Sequence, residues 1–289
     1  MGYRRGHSRR SGAGPSTDGF RLLHGSLFAA TQLEEADVQG STRIEGSVAL
    51  VTGANRGIGR AITEALLERG AAKVYATARD PKTLEVLRER YGPRVVALRL
   101  DVTDVDQVAE VAREATDVDV LFNNAGAFEP TDLTNDAIVD AARREMEVNY
   151  FGALRMLRGF GDTLVRRGGT IVNVGSAAGL TNVPLQPTYS ASKAAQHSLT
   201  QASRALLAAQ GVRVHGVYPG PVDTDMTKDL PPQFEKTPPE DVANKILDGV
   251  QAGYEDIFPD PFAVAFGEQF HSSPKAVERQ MAAIVAIPA

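Results

Sequence analysis

Tyr189 and Lys193 stand four residues apart at the start of a helical stretch, a spacing that puts both side chains on one face about one turn apart. A free tyrosine, with a pKa near ~10, is a poor base at neutral pH, and an ammonium beside it favours the phenolate and lowers that value. The pair is thereby fitted to exchange a proton with an alcohol or carbonyl oxygen. Ser176 follows directly on the strand-like run Thr170–Val174, where its hydroxyl can hydrogen-bond the same oxygen. Competing chemistries fail on spacing. The five histidines, His7, His24, His197, His215 and His271, form no His-x-x-x-His pair or compact ligand set, so no metal is expected. Ser176 sits in Val174-Gly175-Ser176-Ala177-Ala178 rather than in a Gly-x-Ser-x-Gly elbow, which disfavours a serine hydrolase. The chain has no cysteine, which excludes thiolate catalysis and disulfides.

A second group of residues has the form of a phosphate site. Gly53, Asn55, Arg56, Gly57, Ile58 and Gly59 lie between a first strand and a helix, where glycines let the backbone turn tightly and bring phosphate to N–H groups at the helix N-terminus. Their spacing departs from G-x-G-x-x-G. Roughly 20 residues further on, where an acid would bind the ribose 2′-hydroxyl of NAD, the second strand ends in Ala78-Arg79. Arg79 can pair with a 2′-phosphate and Arg56 can add a second positive charge, so NADP(H) is expected in preference to NAD(H). Asp80 follows immediately and works slightly against that expectation.

The elements that must position these residues alternate from Ser47 onward. Short β-branched runs, 48–52, 74–78, 95–100, 118–122, 170–174 and 212–217, are separated by helical stretches at 58–69, 84–90, 105–115, 138–167 and 189–209. Such alternation predicts βαβ units on a parallel, doubly wound α/β sheet, with ligands beyond the carboxyl ends of the strands where strand order reverses. The 289 residues suffice for one large domain, and the balance of 31 basic against 36 acidic residues gives a net charge of −5, which makes nucleic acid an unpromising partner. No apolar run approaches the roughly 20 residues of a membrane helix.

Residues 1–43 differ from the rest, with six arginines against four acids and a Ser/Gly/Pro stretch at 11–16, and are expected to be a disordered extension. Arg9-Arg10 and the moderately apolar 20–30 raise export or import as an alternative, but Arg21 and His24 interrupt the apolar stretch.

Taken together, the glycine turn, Asp101-Val102, Asn123-Asn124-Ala125-Gly126, Asn149, Ser176, Tyr189-x-x-x-Lys193 and Pro219-Gly220 resemble the short-chain dehydrogenase/reductase family in order and separation, over about 47–259. The resemblance implies a Rossmann-type three-layer α/β/α fold of about seven strands, forming a single domain over 44–289 with a substrate lid near 223–239. It implies hydride transfer between a nicotinamide and a carbonyl or alcohol carbon without metal. Tyr189 would be the general acid/base, Lys193 would lower its pKa and hold the nicotinamide ribose, Ser176 would orient the substrate oxygen and Asn149 would anchor a relay water. Asp101 and Val102 would flank the adenine, and Asn124, Ala125 and Gly126 would pass the cofactor ribose. Pro219, Gly220, Val222 and Thr224 would approach the nicotinamide. A cytoplasmic homo-oligomer, tetramer or dimer, acting on a small molecule is the family expectation.

Leu180, Val183, Pro184, Leu185, Phe128 and Met226 dominate the segments around the expected pocket and favour a hydrophobic carbonyl or alcohol. Alanines on 189–209 allow close helix approach, and Phe262, Phe266 and Phe270 suggest an apolar face that covers the pocket or a neighbouring subunit. A regulatory protein that binds NADP without turnover is the competing expectation, but it would need no proton-transfer tyrosine.

Overall fold

A computed structural model describes residues 40–230 and 234–283. Seven strands, β1 (Val48–Val51), β2 (Lys73–Ala78), β3 (Val95–Arg99), β4 (Val120–Asn123), β5 (Thr170–Val174), β6 (Arg213–Val217) and β7 (Asp256–Ile257), form one sheet in the order β3-β2-β1-β4-β5-β6-β7. Every neighbouring pair is parallel. The order reverses between β1 and β4, so the turns leaving these two strands flank the crevice in which such sheets bind ligands.

Both faces of the sheet are covered, which the strand sequences require. In β4, Val120 and Phe122 enter one core while Leu121 enters the other, and in β5 Val172 and Val174 oppose Ile171 in the same way. One core is closed by α1 (Gly57–Glu68) and α7 (Pro239–Ala252), through Ile62, Leu66, Val242, Ile246 and Val250. The other is closed by α3 (Val105–Glu114) and α5 (Ala153–Arg167), through Val108, Val111, Met156, Phe160 and Leu164. Each such fully buried side chain contributes roughly 1.5–3 kcal/mol. The short α2 (Glu85–Tyr91) connects β2 to β3, and α6 (Pro187–Leu207) connects β5 to β6. Ala191, Ala194, Ala202 and Ala205 form exposed small-residue positions on α6.

Three features differ from the sequence expectations. The helical stretch expected over 138–167 is divided into α4 (Ile138–Met146), a π-helical segment (Glu147–Gly152) and α5. The body also begins earlier than residue 44. Thr42 is buried and its hydroxyl bonds with that of Thr170 at 2.9 Å, which ties the chain to the start of β5 before the first strand begins. The remainder of the expected extension, 1–39, lies outside the described residues, as do residues 231–233 of the expected lid. Finally, α8 (Pro261–Ser272) and α9 (Pro274–Ala283) form a small cluster of their own, in which Phe266, Val277 and Met281 pack on Ala177, with Leu180, Val183 and Phe270 at its margin. The terminal phenylalanines thus cover the segment that follows Ser176, although Phe262 remains exposed.

His215 on β6 is fully buried, its Nδ1 is 2.6 Å from the Tyr254 carbonyl, and its Nε2 has no hydrogen-bond partner among the described residues. Burial lowers its pKa from 6.5 to about 4, so the folded chain binds this proton less readily than the unfolded chain. The corresponding stability is complete above pH 6.5 and is lost as the pH falls towards 4. Urea unfolding should show about 2 kcal/mol of stability lost to this group between pH 7 and 5. His215→Gln should flatten that dependence, and an unchanged pH slope would disprove the assignment.

Candidate active site

The turn after β1 carries Gly53 and Gly57 in the left-handed region, at φ +66° and +52°. α1 starts at Gly57 with no side chain capping its N-terminus and no acid in its first turn. Its first N–H groups and the positive end of its dipole are therefore available to an anion. Thr52 and Asn124 join this turn to the one after β4. The Thr52 hydroxyl accepts the N–H groups of Asn124 and Ala125, both at 2.9 Å, and the Asn124 amide donates to the carbonyls of Thr52 (2.8 Å) and Gly53 (3.2 Å). A Cβ on Gly59 would lie 2.2 Å from the Gly53 carbonyl oxygen, so α1 approaches the turn as closely as backbone can. Asn55 is half-buried in the turn, while Ile58 packs partly against the core.

The charges around the turn divide. Arg79 is exposed at the end of β2 and has no ion-pair partner among the described residues, and the Asp80 carboxylate accepts the backbone N–H of Lys82 at 3.0 Å. Arg56 instead pairs with Asp225 at 3.0 Å. Asp225 belongs to the segment after β6, where the Thr224 methyl lies 3.1 Å from the Cβ position of Gly57. Pro219 accepts the Ala177 N–H, the Gly220 N–H donates to buried Asp260 at 2.8 Å, and buried Val222 bridges to Thr237. Asp101 caps Thr103, accepting its N–H and hydroxyl, while Val102 is buried against Gly152. Any contact of Val102 with a ligand thus falls to its backbone.

Ser176, Tyr189 and Lys193 meet at the carboxyl edge of β5. Ser176 directly follows Gly175 at the end of that strand, and its hydroxyl stands beside the Tyr189 phenol and accepts the Ala178 N–H. Tyr189 and Lys193 occupy the buried face of α6, with Nζ 5.8 Å from the phenol ring centre. Lys193 is fixed there by donating to the Val174 carbonyl and to Gln196 Oε1, each at 2.9 Å. Phe128 stands edge-on to Tyr189, ring centres 5.4 Å apart. The glycine turn's partner loop reaches the same place, since the Cβ position of Gly126 is 3.7 Å from Lys193 Nζ.

The model of the short chain dehydrogenase family matches residues 47–235, spanning the glycine turn, both strand-end loops and the tyrosine helix. The chain belongs to the short-chain dehydrogenase family. It is an oxidoreductase of carbonyl and alcohol groups. The 3-oxoacyl-acyl-carrier-protein reductase FabG of Vibrio harveyi is 35% identical over 240 residues, 81% of this chain and 92% of the relative. Galactitol 2-dehydrogenase of Agrobacterium fabrum is 32% identical over 67% of this chain and 77% of its own length. Among solved structures, a short-chain dehydrogenase from Burkholderia cenocepacia in complex with NADP is 40% identical with a TM-score of 0.78, covering 83% of this chain and 99% of that one.

In this short-chain dehydrogenase the protonation states differ from the sequence expectation. Burial raises the Tyr189 phenol to about 12, against the opposing hydrogen bond from Ser176, and burial lowers Lys193 to about 7. The expected lowering of Tyr189 by an ammonium is not found, because the same desolvation that protects the phenol's proton removes much of the lysine's charge. The Asn149 side chain is held within the protein. It accepts the Ala127 N–H at 2.8 Å and donates to the Ala127 carbonyl and Ser192 Oγ, and Ser192 in turn donates to the Tyr189 carbonyl. The amide thus ties the loop after β4 to the tyrosine helix.

Gln196, Ser192, Asp260 and Glu145 take part in this arrangement and were not found from sequence. Ser192, Gln196 and Thr200 lie at helical spacing on the buried face of α6, so a polar stripe beside Tyr189 and Lys193 was the available signal. Leu180 and Val183 pack beneath the α8–α9 cluster, whereas Leu185 and Met226 are exposed, so the apolar residues expected around a substrate do not form one wall. Among the described residues no group of three or more acids or histidines is placed to hold a metal ion, and no helix is long and apolar enough to cross a membrane.

Proposed function

We propose that the protein reduces a carbonyl on a hydrophobic small molecule, or oxidises the corresponding alcohol, using NADP(H) in preference to NAD(H), with Tyr189 as general acid/base. The observation that carries this is the meeting of Ser176, Tyr189 and Lys193 at the carboxyl edge of β5, beside an uncapped helix N-terminus. The residues fit a dinucleotide. Gly57 turns in the left-handed region at the start of α1 and Gly59 lets α1 close on the β1 turn, which together present the first N–H groups of the helix, and Gly126 brings the β4 loop close to Lys193. The α1 N-terminus would hold the pyrophosphate, Arg79 the 2′-phosphate, and Lys193 a ribose hydroxyl. NADPH, when bound, supplies the hydride.

In reduction, the Tyr189 phenol donates its proton to the oxygen that becomes an alkoxide, while the Ser176 hydroxyl orients that oxygen. A phenol held near 12 is fully protonated at neutral pH and is therefore ready to act as the acid. Phe128 provides an apolar edge against the reacting group, which suits a hydrophobic substrate. The relatives named above are a 3-oxoacyl-acyl-carrier-protein reductase and a galactitol dehydrogenase, so the substrate must be sought by assay. Loss of NADPH absorbance with a panel of aliphatic and aromatic carbonyls tests the proposal directly. Tight NADPH binding with no turnover across the panel would favour a cofactor-sensing role.

Arg79→Asp tests the cofactor assignment. Replacing the unpaired cation by a carboxylate should lower the NADP/NAD ratio of kcat/KM by at least about tenfold, because a charge-assisted contact becomes a repulsion. An unchanged ratio would overturn it.

A further inference from the structure

Two carboxylates are buried among the described residues, Glu145 and Asp260, and the proton transfer involves neither. Glu145 accepts the Glu129 N–H at 2.9 Å and so serves the loop after β4. Asp260 stands at the N-cap of α8, and its two oxygens take different partners. Oδ1 accepts the Ala263 N–H at 2.8 Å, which caps the helix, and Oδ2 accepts the Gly220 N–H at 2.8 Å, in the loop after β6. A cap needs one oxygen. The other is thus left to act on the loop.

The Gly220 N–H belongs to the peptide unit whose opposite edge is the Pro219 carbonyl, and that carbonyl accepts the Ala177 N–H at 3.0 Å. One rigid plane is therefore gripped on both edges, by the residue that follows Ser176 and by Asp260. Such a plane turns only about the torsions on either side of it, and glycine opposes that rotation least of all residues. Loss of either grip would let the plane swing, and the loop that starts at Pro219 with it. Close packing completes the arrangement. A Cβ on Gly220 would lie 2.5 Å from Phe262 Cδ1 and 2.8 Å from Asp260 Oδ1, so the start of α8 lies directly against this glycine. Further along α8, Phe266 packs with Val277 and Met281 on Ala177. The C-terminal helices thereby hold the loops after β5 and β6 against each other.

We propose that Asp260 is a positioning residue for the nicotinamide end of the cofactor: by orienting the Pro219–Gly220 peptide it sets the loop after β6 against Ser176, and so the nicotinamide against the reacting carbonyl. On the reading that this loop faces the nicotinamide, on which this rests, the adenosine end at the β1 turn and Arg79 is held independently of Asp260. The two ends separate by ligand, and the two oxygens by substitution. Asp260→Ser keeps an oxygen that can cap α8 and is too short to hold Gly220 as well. Asp260→Asn keeps the size and leaves one oxygen for the two N–H groups.

The experiment measures, by calorimetry on the full-length wild type and both variants, the Kd of NADPH and of 2′,5′-ADP, which carries the adenosine end without the nicotinamide. A melting curve accompanies each. Asp260→Ser should weaken NADPH about tenfold, as expected for the loss of one hydrogen bond to a charged group, and leave 2′,5′-ADP within about twofold of wild type. With any carbonyl that the wild type reduces, kcat should fall at least about tenfold, because the nicotinamide is no longer aimed. Asp260→Asn should show the same split between the two ligands. Wild-type affinity for NADPH in Asp260→Ser overturns the proposal, and so does an equal loss for both ligands, which a loosened fold would produce. If Asp260→Ser does not fold, Asp260→Asn decides by the same two outcomes. Failure of the wild type to bind NADPH would instead overturn the proposed cofactor, so the two failures are distinguishable.

Discussion

Tyr189→Phe should lower the rate of carbonyl reduction roughly a thousandfold, within the range that a positioned general acid supplies, while NADPH binding and folding stay nearly unchanged. The separation follows from what the hydroxyl does and does not hold. The phenylalanine ring keeps the edge-on contact with Phe128, and Ser176 keeps the Ala178 N–H that already satisfies its oxygen. The groups proposed to hold the dinucleotide lie on the β1 turn, the β4 loop and Lys193, none of which depends on the phenol oxygen. Steady-state turnover with fluorescence titration of NADPH and a melting curve would check all three quantities on one preparation. Full turnover in the variant would remove Tyr189 from the reaction.

Gly59→Ala should have the second large effect, on stability and cofactor affinity together. The added methyl would meet the Gly53 carbonyl oxygen at 2.2 Å and Asn124 Nδ2 at 2.3 Å, and the first of these is backbone that cannot rotate away. Relief requires α1 to withdraw from the turn or Asn124 to release the carbonyls of Thr52 and Gly53, and either movement unfastens the β1 turn from the β4 loop. We expect a cost of about 3–5 kcal/mol, at the upper end of overpacking effects, and a fall in melting temperature of about 10 °C. NADPH affinity should fall at least tenfold, since the N–H groups at the start of α1 leave their positions. Gly161→Ala is the matched control. It lies inside α5 with open space at its Cβ position, so alanine there should be neutral or stabilising by up to about 1 kcal/mol. Similar losses at both glycines would show that steric closeness at Gly59 is not the cause.

Much of the architecture was legible because a parallel sheet buries its strands on both faces, and such strands are written as continuous β-branched runs. Thr170–Val174 was placed to the residue, and the remaining expected strands to within one or two at each end. The two-residue β7 is too short to leave a pattern. The division of 138–167 was hidden for a different reason. Apolar periodicity continues through the π-helical segment without a proline or a run of glycines, and the cause is tertiary, since Asn149 turns inward to Ala127 and Ser192 and Gly152 admits Val102. At the site, residue types and spacing located Ser176, Tyr189, Lys193 and the glycine turn, because each stands where a strand ends or a helix begins. Charge states were not legible. A helix with Arg143, Arg144, Glu145 and Glu147 in sequence reads as a solvated face, and nothing local marks Glu145 as the buried member. Burial likewise decides the pKa of Tyr189 and Lys193, and burial is a property of the assembled fold.

The π-helical segment sets a rotational phase. A π turn closes its hydrogen bonds one residue later than an α turn, and each residue of an α-helix advances about 100° around the axis. The residues of α5 therefore face about 100° away from where an uninterrupted helix would have carried them. With the extra residue in place, Asn149 points at the loop after β4 while Met156, Phe160 and Leu164 point into the core. Removing one residue from 147–152 would force a choice between these two orientations. That stretch of the chain is thus protected against changes in length as firmly as the glycine turn is protected against changes in side chain.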